Sequence, residues 1–214
     1  MPTLAETVTR VLDDLSRPFD ELGDIAKREI LSAIGYYESS RFTFNERILD
    51  ATLSATSVFA FSALVANDPE VEDIWAIDGV TVLYSSRFIV VEAVPWNRYF
   101  EMVNNTTTTS NFPDFFTTYN RSMYVYPVLT GNIGAAIPAH VKLVTLDGIT
   151  NITNAWLTEG EELIRSRACR MICQRKLDDF EKASMFKQLE DEAYKGLLAD
   201  ASVLQSTGML SPND

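Results

Sequence analysis

The side chains that could carry acid–base, nucleophilic or metal chemistry are few and scattered. The one histidine, His140, falls in Ala139 to Leu146, a run that reads as a strand. A surface or hydrogen-bonded histidine is the expectation there. Cys169 and Cys173 lie four residues apart. One helix would hold them near each other but with poor Cβ geometry for a disulfide. With the histidine far off in sequence, a zinc site lacks ligands, so they read as two small buried side chains. Carboxylates pair at Asp13-Asp14, Glu161-Glu162 and Asp178-Asp179, near expected helix ends, where capping or solvated carboxylates are common. General acid–base work would require two of them to meet in the fold. No G-x-S-x-G elbow and no G-x-x-x-x-G-K-[ST] loop occurs, and Gly131-Asn132-Ile133-Gly134 is too short to cradle a phosphate. The expectation is a protein that is not an enzyme and uses no cofactor and no metal.

The densest charge feature is cationic. Between Leu163 and Leu177 stand Arg165, Arg167, Arg170, Arg175 and Lys176, with no acidic residue among them. Two readings stay open. The run is a solvated helix face that satisfies the negative end of the helix dipole, or an electropositive belt that meets an acidic partner or DNA.

The elements that must position this belt are two helices within Asn154 to Asp200. Asn154 or Thr158 can cap the first, since a side-chain oxygen there accepts from an orphan N–H of the first turn. Asp178 and Asp179 read as the break and the next cap. The second helix, from about Glu181, carries Phe186, Leu189, Ala193 and Leu197 at helical spacing.

Length and charge bound the rest. A chain of 214 residues that is 46% hydrophobic can bury a real core. Its net charge of -12 repels DNA and anionic membranes. That argues against a sequence-reading DNA binder, though not against a tunnel through which DNA slides. The N-terminus has acidic residues by Glu6 and no apolar leader pattern, and no run is long enough to span a membrane. Asn105-Thr106-Thr107 and Asn120-Arg121-Ser122 therefore match glycosylation acceptors only by coincidence.

In chain order, Thr3 to Leu15 predicts a capped amphipathic helix, with Thr3 and Glu6 spaced as a capping box and Leu4, Val8, Val11, Leu12 and Leu15 as its apolar stripe. Arg17-Pro18 ends it. Asp24 is expected to cap a second helix to about Ser40, with Ile25, Ile30, Ile34 and Tyr37 near one face. From Ile48 the pattern changes to strands. Ala66 to Pro69 is a turn, and Ile74 to Leu83 is a strand bent at Asp78-Gly79. Arg87 to Val94 is another strand, and Pro95 begins a short helix that buries Trp96, Tyr99, Phe100 and Val103. Asn104 to Asn111 is an exposed loop. Phe115 to Asn120 and Met123 to Tyr126 form a hairpin. A loop with Gly131 and Gly134 precedes the last strand, and Asp147-Gly148 is a turn. The plan is α+β: a helical bundle formed by the N- and C-terminal helices (3–42 and 154–200) with an inserted antiparallel β-subdomain (46–148), one domain over 1–200, and a C-terminal tail over 201–214.

Several of these residues carry a resemblance. Asn154-Ala-Trp-Leu, then Glu161-Glu-Leu-Ile-Arg-Ser-Arg-Ala, an acidic break, an amphipathic helix and Glu190-Asp-Glu-Ala resemble the C-terminal signature of the head-to-tail adaptor (connector, or neck) proteins of tailed bacteriophages. The run from Tyr36 to Glu46, ending in Arg41-Phe-x-Phe-Asn-Glu, is similar to the N-terminal part of that family. Its aromatics would wedge the helical layer against the sheet. The resemblance spans Thr3 to Asp200. It implies a virion structural protein at the head–tail interface, assembled in the host cytoplasm. It also implies a homo-oligomeric ring, a dodecamer in that family, that joins the portal protein to a downstream tail or nozzle protein and passes double-stranded DNA. The belt of Arg165, Arg167, Arg170, Arg175 and Lys176 would then face the lumen or an interface. No membrane partner is expected. The competing expectation is a tail-associated or host-surface binding module that grips its ligand with Trp75, Trp96 and the Tyr119 to Tyr126 aromatics.

The tail, Ala201 to Asp214, offers Leu204, Met209 and Leu210 as its only large apolar anchors after Val203. Ordering each residue costs roughly 1–2 kcal/mol of backbone entropy, more than three anchors return. It is a frayed terminus, or a segment that orders on a partner. The resemblance implies the portal as that partner.

Overall fold

The structure, a computed structural model, describes residues 2–105, 108–146 and 154–206. Its seven α-helices are α1 (Leu4–Asp14), α2 (Phe19–Tyr37), α3 (Phe61–Leu64), α4 (Trp96–Asn105), α5 (Ala155–Thr158), α6 (Glu161–Ile172) and α7 (Phe180–Ser206). The strands are β1 (Glu46–Leu53), β2 (Val58–Ala60), β3 (Val71–Ile77), β4 (Val80–Tyr84), β5 (Arg87–Ala93), β6 (Thr109–Ser110), β7 (Phe115–Tyr119), β8 (Ser122–Tyr126), β9 (Val128–Leu129) and β10 (Ile133–Leu143). The chain combines these helices with a sheet that is mostly antiparallel, so the α+β class stands. The chain divides into two compact units, one of Met1–Asn45 with Thr145–Asp214 and one of Glu46–Val144.

The first unit is helical. Thr3 Oγ1 accepts from the Glu6 amide at 3.3 Å and Glu6 Oε2 accepts from the Thr3 amide at 2.8 Å, so the expected capping box starts α1. Leu4, Val8, Val11, Leu12 and Leu15 are all buried, as their spacing demands. The second helix differs from expectation. It begins at Phe19 behind Pro18 rather than at Asp24, which is interior and exposed. Proline sets the extended entry, and the buried stripe runs Leu22, Ala26, Ile30, Ala33 and Tyr37, leaving Ile25 and Ile34 half-buried. After a short 3₁₀ turn, Thr43–Asn45, the chain enters the other unit.

Phe42 and Phe44 find ring partners within the helical unit rather than in a sheet. Both meet the buried indole of Trp156 edge-on, at 5.8 and 4.9 Å, and Phe42 also meets Tyr194 of α7 at 5.9 Å. Gly160 passes under this cluster. A Cβ there would stand 2.9 Å from Trp156 Cε3 and 3.3 Å from Phe44 Cζ, so only glycine lets the backbone approach. Asn154 caps α5, accepting from the Trp156 amide at 3.0 Å. Cys169 and Cys173 are buried free thiols, as their spacing suggested. A π-helical turn, Cys173–Leu177, follows α6 and ends at Asp178 with φ 49°. Asp179 Oδ1 then accepts from the Lys182 amide at 3.0 Å, which starts α7. That helix continues through Ser206, so the first six residues of the expected tail are helix. Once a helix exists, each added residue gains a hydrogen bond without a new nucleation cost.

The second unit is built on β10, which is longer and begins earlier than the expected Ala139–Leu146 strand and includes Gly134. Its inward residues Ile133, Ala135, Ile137, Ala139, Val141 and Leu143 are buried. β1 pairs along its whole length on one side, from Glu46 opposite His140 to Leu53 opposite Ile133. On the other side β4 and then β3 pair with it in line, the bend at Asp78-Gly79 dividing them as expected. The sheet continues β4-β5-β7-β8-β2, with β5 and β7 parallel. Two tight turns use left-handed residues: Ser85 and Ser86 (φ 48° and 62°), and Asn120 and Arg121 (φ 46° and 58°). The second closes the expected hairpin, since turns of that hand match strand twist.

Three expectations in this unit fail, the first at Phe61–Leu64, the short helix α3 within the run read as strands. The helix α4 buries only Tyr99, while Phe100 and Val103 are exposed. Part of the expected Thr-rich loop is a strand, β6, paired in parallel with β9, because its backbone donors and acceptors need partners whatever its side chains are. The Asp147-Gly148 turn lies outside the described residues.

Candidate functional site

Half of the residues of α6 are buried: Leu163, Ile164, Ser166, Ala168, Cys169 and Ile172. A helix so covered must point its charged residues along the seams with its neighbours. Arg165 Nε lies 3.0 Å from Asp14 Oδ2 of α1. Arg10 of α1 returns the contact, donating to both oxygens of Glu161 at 2.7 and 2.6 Å. Arg175 reaches Glu29 Oε2 of α2 at 3.4 Å, a carboxylate only 5% exposed. Lys176 is exposed. Four of the five belt residues are thus tied to carboxylates of their own unit. The belt is largely an ion-paired brace, with Arg175, 59% exposed, and Lys176 also facing solvent.

Its centre is Glu190 of α7, 2% exposed. One oxygen, Oε1, accepts from Tyr37 Oη at 2.5 Å, Arg167 Nη1 at 3.0 Å and Arg170 Nη2 at 3.3 Å. The other, Oε2, lies 2.7 Å from Arg170 Nε, an ion pair whose N–H is not aligned for a hydrogen bond. The Arg167 guanidinium also lies 3.4 Å from the centroid of the Tyr36 ring, a cation–π contact. A buried carboxylate is tolerable only with such company, because desolvating a lone charge costs several kcal/mol. Burial, and next the hydrogen bond to Glu190, push the Tyr37 phenol above its ordinary pKa. Burial likewise raises the thiols of Cys169 and Cys173, which disfavours thiolate chemistry at either.

The sequence held a signal for Glu190 that the apolar spacing of α7 obscured. The expected stripe ran through Leu189, which is 37% exposed, whereas the buried positions are Ala183, Phe186 and Glu190. An acid on a buried stripe demands a buried cation, and Arg167 and Arg170, one turn apart, supply two.

A pocket of about 410 Å³ opens beside this cluster, walled by Tyr36 and Tyr194, with Ser40 at its edge and Lys187 and Asp191 at its rim. The rim pair bridge one another, and the Lys187 hydrogen bond lowers the Asp191 pKa. A second pocket, about 330 Å³, has an apolar floor of Leu163, Ala193 and Leu197 and the carboxylates of Glu159, Glu162, Glu192 and Asp200 around it.

The remaining sequence candidates do not converge. His140 is neither on the surface nor hydrogen-bonded, contrary to expectation. It is 3% exposed, both ring nitrogens are buried without a hydrogen bond among the described residues, and Nδ1 lies 3.4 Å from Glu46 Oε1 across the β1–β10 pair, because the pairing of the two strands covers the ring. Among the described residues no group of three His, Cys, Asp or Glu side chains could hold a metal ion, and no helix is long and apolar enough to cross a membrane. Leu204 belongs to the last turns of α7, with its side chain outside the described residues, as are Met209 and Leu210. No family model and no curated protein matches the chain.

Proposed function

We propose that this chain is a head-to-tail adaptor of a tailed bacteriophage. It forms a homo-oligomeric ring between portal and tail, and double-stranded DNA passes through that ring. In this reading the terminal helices form one bundle from which the β-subdomain is an insertion. The observation that carries it is the cross-bracing of the signature segment to the first helices. Glu161, Arg165, Arg175 and Glu190 each reach a residue of α1 or α2, the union of the two chain ends that the family resemblance implies.

Exposed apolar surface supports self-association. Phe180, Met185 and Leu198 of α7 are 68%, 50% and 38% exposed. On the sheet, Leu83 stands opposite Phe88 and Thr81 opposite Val90, so Leu83, Phe88 and Val90 share one face, each more than half exposed. Contiguous apolar surface like that of the sheet marks association sites. With a net charge of -12, DNA would slide through such a ring without being held.

The binding-module reading has one observation in its favour. Trp96 stacks on Tyr119 at 4.5 Å, beside an exposed Phe100. Trp75 lies on β3, 45% exposed. Native mass spectrometry and negative-stain imaging, with and without portal, separate the two. A ring, alone or on adding portal, is expected. A chain that stays monomeric with portal at micromolar concentration refutes the adaptor. Removing Leu204 to Asp214 should abolish portal docking without changing the monomer's melting.

A further inference from the structure

Among the described residues, the pocket beside Glu190 is lined by two arginines and one buried carboxylate. Arg167 and Arg170 bring two positive charges and Glu190 one negative, leaving one net positive charge at the back of the pocket. Lys187 and Asp191 cancel at the rim. Each guanidinium carries about five N–H donors. One from each is hydrogen-bonded to Glu190, whose Oε1 is already loaded with three hydrogen bonds. Both arginines line the pocket, and their side chains keep 14% and 16% exposure. Tyr36, Tyr194 and Ser40 also line the pocket, and the two rings would pack the stem of an entering side chain.

From this geometry we infer that the pocket is a docking site for a carboxylate of an acidic protein segment, received by the Arg167–Arg170 pair as its second anion. The planar guanidinium fork matches a carboxylate with two parallel bonds. Duplex DNA is the poorer ligand. A volume of about 410 Å³ admits one side chain and not the backbone of a duplex. The site needs no ring and stands apart from the adaptor role.

The experiment titrates the full chain with fluorescein-labelled hexaglutamate at low salt, with hexaglutamine and a short DNA duplex as competitors. Hexaglutamate should bind and hexaglutamine should not compete. Ser40→Glu, which places a carboxylate of the chain's own in the pocket, should weaken binding at least about tenfold and raise the melting temperature. Ser40→Gln, equal in size and uncharged, should weaken it less than about threefold. Lys187→Gln, on the exposed rim, should cost a few-fold. Absence of binding to the wild type, binding indifferent to Ser40→Glu, equal loss in Ser40→Gln, or duplex DNA competing as well as free hexaglutamate would each overturn the inference.

Discussion

Replacing Glu190 with glutamine tests the brace at its centre. The substitution keeps the shape and removes the charge. Arg167 and Arg170, with side chains only 14% and 16% exposed, would then face one another without a counter-ion. Removing one partner of a buried ion pair typically costs about 3–5 kcal/mol. The retained amide oxygen and the residual solvent access of both arginines favour the low end, about 3 kcal/mol. At roughly 2–4 °C per kcal/mol for a chain of this size, the midpoint should fall by about 6–12 °C. The assay is a thermal melt followed by circular dichroism at pH 7, repeated at high salt, which should restore little because the cluster is buried. Asp191→Asn is the control. It breaks only an exposed Lys187 pair and should leave the melt unchanged. A Glu190→Gln midpoint within about 2 °C of the control would show that α6 and α7 are held by apolar packing alone.

Three further outcomes are expected. The Tyr37 phenol is held above its ordinary pKa of about 10; the unfolded chain therefore releases this proton first as pH rises. The Tyr37 contribution to stability is present below pH 10 and is lost above it. Alkaline melts of wild type should lose stability more steeply than those of Tyr37→Phe, and parallel curves would refute this. Gly160→Ala should destabilise by about 1–3 kcal/mol, since its Cβ would meet Trp156 Cε3 at 2.9 Å; a shift in Trp156 fluorescence should accompany it, and unchanged stability would mean the indole moves aside freely. Replacing Ser85-Ser86 with Asn-Gly should stabilise by about 1 kcal/mol, because left-handed backbone costs a non-glycine residue roughly that much. A rise in the urea midpoint at constant slope would show it, and a fall would mean the serines make contacts the turn needs.

Local signals read directly from the sequence where they are self-contained. The Thr3–Glu6 capping box, the α1 stripe, the Asn154 cap, the break at Asp178-Asp179, the β7–β8 hairpin and the bend at Asp78-Gly79 all involve residues a few positions apart. The energies that set them act within a turn or two of chain. Tertiary structure decided what depends on distant partners. The extra length of β10 comes from three strands that hydrogen-bond to it, enough to carry Gly134 into the strand. Whether Leu189 or Glu190 of α7 is buried depends on Arg167, Arg170 and Tyr37, between 20 and 153 residues away in the chain. The same holds for the belt. Arg165, Arg167, Arg170 and Arg175 are visible in the sequence as a cationic run. Their pairing with Asp14, Glu190 and Glu29 exists only once α1, α2 and α7 lie against α6, because an ion pair forms between side chains that packing has already brought within about 4 Å.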